Sequence, residues 1–334
     1  MTKQNLALKI SNLEYSYKSD FLLKTHHALK GISLEVYEGE SFGFLGHNGA
    51  GKTTTIKSIL GLITPSAGSI EIFGEKSSSS SAREKVGYLP EQPYFYDHLT
   101  VTEIVTMYAQ LAGVSRSVTS AVDEALERVK IAHKRSARMR SLSKGLTQRV
   151  AMAQAIIGKP RLLILDEPFS GLDPLGRKEF KDLLFELKSE GATLFISSHI
   201  LSDIEHLCDR ASVLNNGEIK LIGSISELTK LTGERFELVL EGGLDSKSDF
   251  ESLASEVLQQ GNLLSLSFDS KADADKALKL ATEHGIAIER YQTKAGRLEE
   301  LFMKLVQSSN VDEQDASGNG DRSEGTKINK EVRP

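Results

Sequence analysis

The chain has 334 residues, with 41 Lys and Arg against 46 Asp and Glu and a formal net charge of −5, so its overall balance offers nothing to attract nucleic acid. Its one cysteine, Cys208, excludes an internal disulfide and fits a reducing compartment. No apolar run reaches the ~18 residues of a membrane span and the opening "MTKQNLALKI" has no signal-peptide core, which leads to the expectation of a soluble, cytoplasmic chain whose membrane role would come through a partner.

In chain order, apolar alternation predicts strands over Leu6–Tyr17 and Ile32–Val36, and "SFGFLG" ends a third strand at Gly46. A helix pattern runs from Lys52 to Leu60, followed by short strands at Ile70–Phe73 and Val86–Leu89. Between them, the five serines Ser77–Ser81 read as a solvated loop. Helical periodicity dominates from Thr100 to about Gly158, and Thr100 with Glu103 has capping-box spacing. Then come a strand (Leu162–Leu165), a helix (about Leu175–Lys188), a strand (Thr193–Ser197) and a helix (Leu201–Cys208). "VLNNGEIKLI" predicts a hairpin turned by Asn216 and Gly217.

From about Phe236 the pattern restarts on a smaller scale. "FELVLEG", "LLSLSFDS" and "IAIERYQT" alternate with expected helices near Ser248–Gln259, Asp273–Glu283 and Arg297–Val306. The last stretch, Ser308–Pro334, is polar and reads as a disordered tail. Strands separated by helices imply a mainly parallel α/β sheet with an inserted helical part. The expected division is therefore residues 1–232 (helical part about 92–158), a small α/β domain at 233–307, and a tail at 308–334.

"GHNGAGKT" matches G-x-x-x-x-G-K-[ST], from Gly46 through His47, Asn48, Gly49, Ala50, Gly51 and Lys52 to Thr53. It follows an apolar strand and opens a helix, as its chemistry requires. Glycines let backbone N–H groups curl around phosphate oxygens, and the helix N-terminus adds a positive dipole end. Lys52 is placed to reach β- and γ-phosphates, and Thr53 to offer its hydroxyl to Mg²⁺. "RLLILDEP" delivers two adjacent carboxylates at the end of a buried strand. Asp166 suits Mg²⁺ and Glu167 suits polarising the attacking water. His199, just past "ISS", ends a strand expected beside that of Asp166, where it can sense the γ-phosphate.

Six motifs in one order, "GHNGAGKTT", "GYLPEQP", "LSKGLTQRV", "LLILDEP", "SGLDP" and "ISSHI", resemble the ATP-binding cassette ATPases over about Leu6–Leu231. The resemblance implies a P-loop NTPase with a RecA-like core, an antiparallel β-subdomain that stacks on adenine, and an inserted helical subdomain, here followed by the small C-terminal α/β domain. It implies ATP and Mg²⁺ as ligands, with Thr54 extending the phosphate loop. Tyr17 resembles the aromatic that stacks on the base; Tyr15, two residues back on the same strand face, is the alternative. Asp173 resembles the loop that communicates across the dimer.

Leu142, Ser143, Lys144 and Gly145 resemble the signature, usually LSGGQ, which acts on the nucleotide of a second subunit. Here Lys144 and Leu146 stand where Gly and Gln are common. Glu91 takes the place of the usual lid glutamine, facing Mg²⁺ or the water. "RLEELFMKLV" looks like the closing helix of ATPase subunits of type-2 exporters. The implied partners are a membrane permease, gripped near Tyr94, Phe95 and Tyr96, and a second cassette, most simply a homodimer, on the inner face of the cell membrane. A soluble cassette ATPase working as a mechanical clamp and an importer ATPase stand as alternatives at this point.

Overall fold

The computed structural model describes residues 5–18, 25–114, 117–231, 233–242, 247–295 and 298–299. Except for Leu298 and Glu299, the helix expected at Arg297–Val306 lies outside them, as does the tail from Ser308 onward.

Two antiparallel strands, β1 (Leu6–Lys18) and β2 (Thr25–Tyr37), come first, then β3 (Ser41–Leu45), buried along its whole length. Helix α1 (Lys52–Ile59) leaves the loop after β3, and β4 (Ala67–Ile72) and β5 (Glu75–Lys76) join the opening pair in a sheet ordered β2-β1-β4-β5. The serine run departs from the expected loop. Ser77 is buried, and Ser79 caps a one-turn helix, α2 (Ser80–Arg83), by accepting the N–H of Ala82, the role serine favours at a helix start. β6 (Val86–Leu89) follows.

Among the described residues, three α-helices build the inserted part: α3 (Val101–Leu111), α4 (Val118–Arg128) and α5 (Lys144–Ile156). The expected capping box is present, with Thr100 and Glu103 exchanging side-chain-to-backbone bonds. The chain then alternates through β7 (Leu162–Asp166), α6 (Pro174–Ser189), β8 (Thr193–Ser198) and α7 (Leu201–Leu207) to the hairpin β9 (Arg210–Asn215) and β10 (Glu218–Ser224). Asn216 and Gly217 both take positive φ, 47° and 79°, as a two-residue turn matched to strand twist requires.

The six-stranded sheet runs β10-β9-β3-β8-β7-β6, parallel except for β10. Its central strands β3, β8 and β7 are buried on both faces, the usual state of parallel strands. Along β7, Leu162 and Ile164 pack toward the first sheet and α1, where Phe42 and Phe44 stack around Phe195 with centroids 6.0 and 5.3 Å away. Leu163 and Leu165 pack on the opposite face, with Phe180 and Leu184 of α6 and the inserted helices.

After α8 (Ile225–Lys230), a separate apolar cluster begins. It is built on β11 (Glu234–Glu241), α9 (Lys247–Glu251), β12 (Glu256–Gln260), β13 (Leu263–Phe268), α10 (Lys271–Glu283) and β14 (Ala287–Ala295). The sheet is antiparallel, ordered β12-β13-β11-β14, and Ala274, Ala277 and Ala281 let α10 lie close on it. One expectation is corrected here. Ser248–Gln259 is not a single helix: the helix stops at Glu251, and Glu256–Gln260 is an edge strand paired to β13 across a turn at Gly261 and Asn262. The local apolar spacing fits either form, and the non-local pairing Val257 to Leu266 decides it. Leu298, beyond this sheet, is buried in the helical cluster of the main body, and its N–H is donated to Glu205 on α7.

Candidate functional site

The strand order puts β8 between β3 and β7, so three chemically loaded strand ends converge at one carboxyl edge of the sheet. Register places Leu45 opposite Ser198 and Asp166 opposite Ser197. A cavity of about 470 Å³ opens there, lined on one side by His47, Asn48, Gly49, Gly51, Lys52 and Thr53. Thr54, Glu91, Asp166, Glu167, Tyr17, His26 and Ala28 complete its lining.

The loop is held by its own backbone and by the β9–β10 turn. Gly51 starts α1 at φ +113°, and an added methyl there would lie 2.8 Å from Leu29 and 2.9 Å from the Ala28 carbonyl, so only glycine fits. A methyl on Gly46 would lie 2.8 Å from the Leu214 carbonyl. Ala50, 1% exposed, has its carbonyl accepting the N–H of Gly217, and the Gly217 carbonyl in turn accepts the N–H of Lys30. His47 lies 3.0 Å through Nε2 from Oδ1 of Asn215. Gly49, by contrast, has open space around its α-carbon, facing the cavity.

Lys52 is buried and donates to the Gly46 and His47 carbonyls at 2.6 and 3.3 Å, with Glu167 Oε1 3.5 Å away. Glu167 follows the last residue of β7 in a left-handed conformation, φ +49°, which costs a non-glycine residue about 1 kcal/mol or more. Its N–H, donated to the Ser197 carbonyl at 3.2 Å and to the Ser197 hydroxyl at 3.1 Å, holds it there. Oε2 lies 2.8 Å from His199 Nδ1, while buried Oε1 has no hydrogen-bond partner. Oε1 is held instead by its ion pair to Lys52, and Glu167 lines a cavity large enough for a nucleotide phosphate tail and a water.

Asp166, 2% exposed, accepts from the Ser197 hydroxyl at 2.5 Å through Oδ1 and from Thr53 at 3.4 Å through Oδ2. Burial pushes its carboxyl above the ordinary range, the Ser197 bond opposes this, and the neighbouring Glu167 and Glu91 add to it. Burial, with the charges of Asp166 and Glu91 adding to it, pushes the Tyr88 phenol on β6 up to about 12. Among the described residues no group of three or more His, Cys, Asp or Glu is gathered as a metal cage. Thr53 and Asp166 side by side, with Glu91 on the same wall, form instead the sparse oxygen set that suits Mg²⁺ arriving with phosphates and its own waters. Cys208 is buried, which pushes its thiol up, and it takes no part.

Of the two candidate aromatics, Tyr17 lines the cavity, with its hydroxyl 3.2 Å from Thr54 Oγ1. Tyr15 packs under it, ring centroids 4.9 Å apart at 71°, on the apolar cluster below. His26, paired with Tyr17 in register, and Ser197, which joins both carboxylates' backbone and side chain, were not singled out by sequence. Each reaches the site through a non-local strand pairing that leaves no local signal.

The signature residues lie elsewhere. None of Leu142, Ser143, Lys144 and Gly145 lines the cavity. Exposed Ser143 caps α5, accepting the N–H of Leu146 at 3.4 Å. Asp173 likewise caps α6, accepting the N–H of Gly176 at 2.9 Å.

A family model for ABC transporters matches residues 29–170. The chain is 36% identical to the bacitracin transport ATP-binding protein BcrA of Bacillus licheniformis over 299 residues, 86% of this chain and 96% of that protein. It belongs to the ATP-binding proteins of ABC transporters. This ABC ATPase is also 45% identical to the ABC transporter ATP-binding protein all4389 of Nostoc over 222 residues, and there it spans 65% of its own length and 66% of the relative's. Among solved structures it is similar to MJ0796, described as a dimeric bacterial ABC transporter cassette. The TM-score is 0.61 at 25% identity, covering 65% of this chain and 98% of that one. The match accounts for the architecture of the main body, a P-loop NTPase of the ABC type. No described helix is long and apolar enough to cross a membrane.

Proposed function

We propose that this ABC ATPase powers export through a separate membrane permease, and that two cassettes close head-to-tail with a nucleotide in each interface. The observation that carries the composite site is the division of the motifs. Lys52, Glu167 and Asp166 share one cavity, while Ser143 stands exposed at the head of α5, outside that cavity. A helix N-terminus with an exposed hydroxyl suits a phosphate supplied by a neighbour. The dimeric MJ0796 cassette supports a two-cassette assembly, and two-fold closure lets each chain give one signature and take one. The near full-length match to BcrA, a bacitracin transport protein, supports transport as the role. Export is the direction we propose on that match, with the chain peripheral on the inner face of the membrane.

Within one site, Tyr17 offers its ring to the base and the Gly46–Thr53 loop wraps the phosphates. Thr53 and Asp166, with Glu91 in reach, would hold Mg²⁺, which supplies positive charge against the phosphate oxygens. Lys52 adds a second positive charge to the same oxygens. Glu167 is positioned to orient a water and take its proton as that oxygen bonds to the γ-phosphorus and the bond to the β-phosphate oxygen breaks. His199 holds Glu167 in that orientation through the 2.8 Å contact and stands where it can report on the γ-phosphate. Glu167→Gln keeps the shape of the site and removes the proton acceptor. It should bind ATP, hydrolyse it at under about one-hundredth of the wild-type rate, and run as a dimer on a sizing column only with ATP. Wild-type hydrolysis by this variant would remove Glu167 from the role, and a monomer at saturating ATP would remove the composite site.

A further inference from the structure

Lys144 is the position in the signature that the proposed reaction leaves without a role. Its side chain does not simply extend into water. It folds back over Gly171, in the segment that follows Glu167, so that a methyl built on Gly171 would lie 2.6, 2.7 and 2.9 Å from its Cδ, Cε and Cγ. Its ammonium lies 3.4 Å from the Ser170 hydroxyl. Gly171 has φ +75°, so its bare α-carbon is turned toward this stem.

The next turns of α5 follow the same segment. A methyl on Gly145 would lie 3.4 Å from the Gly171 carbonyl and 3.7 Å from Leu172. Gln148, 1% exposed, donates to the Pro168 carbonyl at 3.2 Å. The start of α5 therefore lies along Pro168–Leu172, a segment bounded by Glu167 at one end and Asp173 at the other. With glycine at position 144, two glycines would face each other and nothing would fill the gap. A lysine stem fills it at little cost, because its charged end stays in water.

We propose that Lys144 is a positioning residue that locks the signature to the Pro168–Leu172 segment, so that Ser143, aimed at the partner's nucleotide, and Glu167, in its own site, move together. This rests on the composite-site reading above. The methylene packing carries the effect; the exposed ammonium adds little, since solvent screens it. Through this lock, closure on one nucleotide is communicated to the catalytic base of the other site, which makes turnover cooperative in ATP.

The test is steady-state ATPase kinetics on the full chain, with three variants. Lys144→Gly should lower kcat between about 3- and 30-fold, with KM within about 2-fold, and bring the Hill coefficient for ATP toward 1. Lys144→Met keeps the stem without the charge and should stay within about 2-fold of wild type. Gly171→Ala strains the backbone in either background, its φ being +75°, and in wild type also drives its methyl into the stem, so it should cost at least about 3-fold more in wild type than in the Lys144→Gly background. Wild-type kcat and cooperativity in Lys144→Gly, a Lys144→Met variant as impaired as Lys144→Gly, or additive effects with Gly171→Ala would each overturn the proposal. The Glu167→Gln sizing experiment separates the two layers. If that variant dimerises with ATP while Lys144→Gly behaves as wild type, only the lock fails. If it stays monomeric, the composite site fails and the lock with it.

Discussion

Ser197→Ala probes the part of the site that the structure added. The hydroxyl donates to Asp166 Oδ1 at 2.5 Å and accepts the Glu167 N–H at 3.1 Å, and all three residues are buried. Removing it does not orphan the Glu167 N–H, which keeps the Ser197 carbonyl at 3.2 Å, nor Asp166 Oδ2, which keeps Thr53 at 3.4 Å. Asp166 Oδ1 does lose its Ser197 donor, and the cost is that of one hydrogen bond to a buried carboxylate, about 1.5–3 kcal/mol. At about 2–4 °C per kcal/mol for a unit of this size, Tm should fall by roughly 3–12 °C.

The penalty should also depend on pH, and its sign follows from Asp166. Burial holds that carboxyl above its ordinary value, so its contribution to stability is complete below the unfolded pKa of about 3.9 and is lost as pH rises through the folded value. The Ser197 bond opposes the upward shift, so its removal raises the folded value further and enlarges that loss. Urea unfolding of nucleotide-free protein should therefore show a penalty that grows as pH is raised from the acid range toward neutrality. A penalty under about 0.5 kcal/mol at neutral pH, or one that stays constant or shrinks with rising pH, would refute the reasoning.

Two further variants separate the remaining assignments. Ser143→Arg should abolish ATP-dependent dimerisation and the hydrolysis that depends on it, while equilibrium dialysis finds the ATP affinity of the monomer within about 3-fold of wild type; a large loss of monomer affinity would place Ser143 in its own chain's site. Tyr17→Ala should weaken ATP binding by the value of one base–aromatic stack, about 1–3 kcal/mol or roughly 5- to 150-fold in Kd. Tyr17→Phe, which gives up only the 3.2 Å contact to Thr54, should stay within about 3-fold. Equal losses in the two variants would show that the hydroxyl, not the ring, carries the contact.

What could be read from sequence was whatever a single segment must carry by itself. The phosphate loop announces itself because backbone has to approach phosphate, and at Gly51 the structure shows the constraint directly, a positive φ with no room for a methyl. Asp166 and Glu167 stand out because carboxylates after four buried apolar residues have no packing reason to be there. The Asn216–Gly217 turn was legible for the same local reason, though not its second task of bracing the phosphate loop through Ala50. What stayed hidden depends on which segments lie side by side. Ser197 is one of three hydroxyl residues in β8 until that strand is placed between β3 and β7. Glu256–Gln260 looks helical until β13 pairs with it.

The signature is the extreme case of this dependence, because within one chain the bonds of Ser143 are those of an ordinary helix cap. Ser143 accepts the Leu146 N–H, and Asp173 does the same for Gly176, so neither residue shows strain or an orphaned atom that would mark it as functional. The asymmetry lies between the two halves of the site. Glu167 carries a positive φ and a buried oxygen that makes no hydrogen bond and is held only by the 3.5 Å ion pair to Lys52, features that persist only when the surroundings hold them in place. Ser143 carries none, which is what a group needs if it must stay stable and solvated before its partner arrives. A composite site therefore concentrates strain on the side that holds its substrate continuously and leaves the arriving side relaxed. The contact of Lys144 with Gly171 is where the relaxed side touches the segment leading from the strained one.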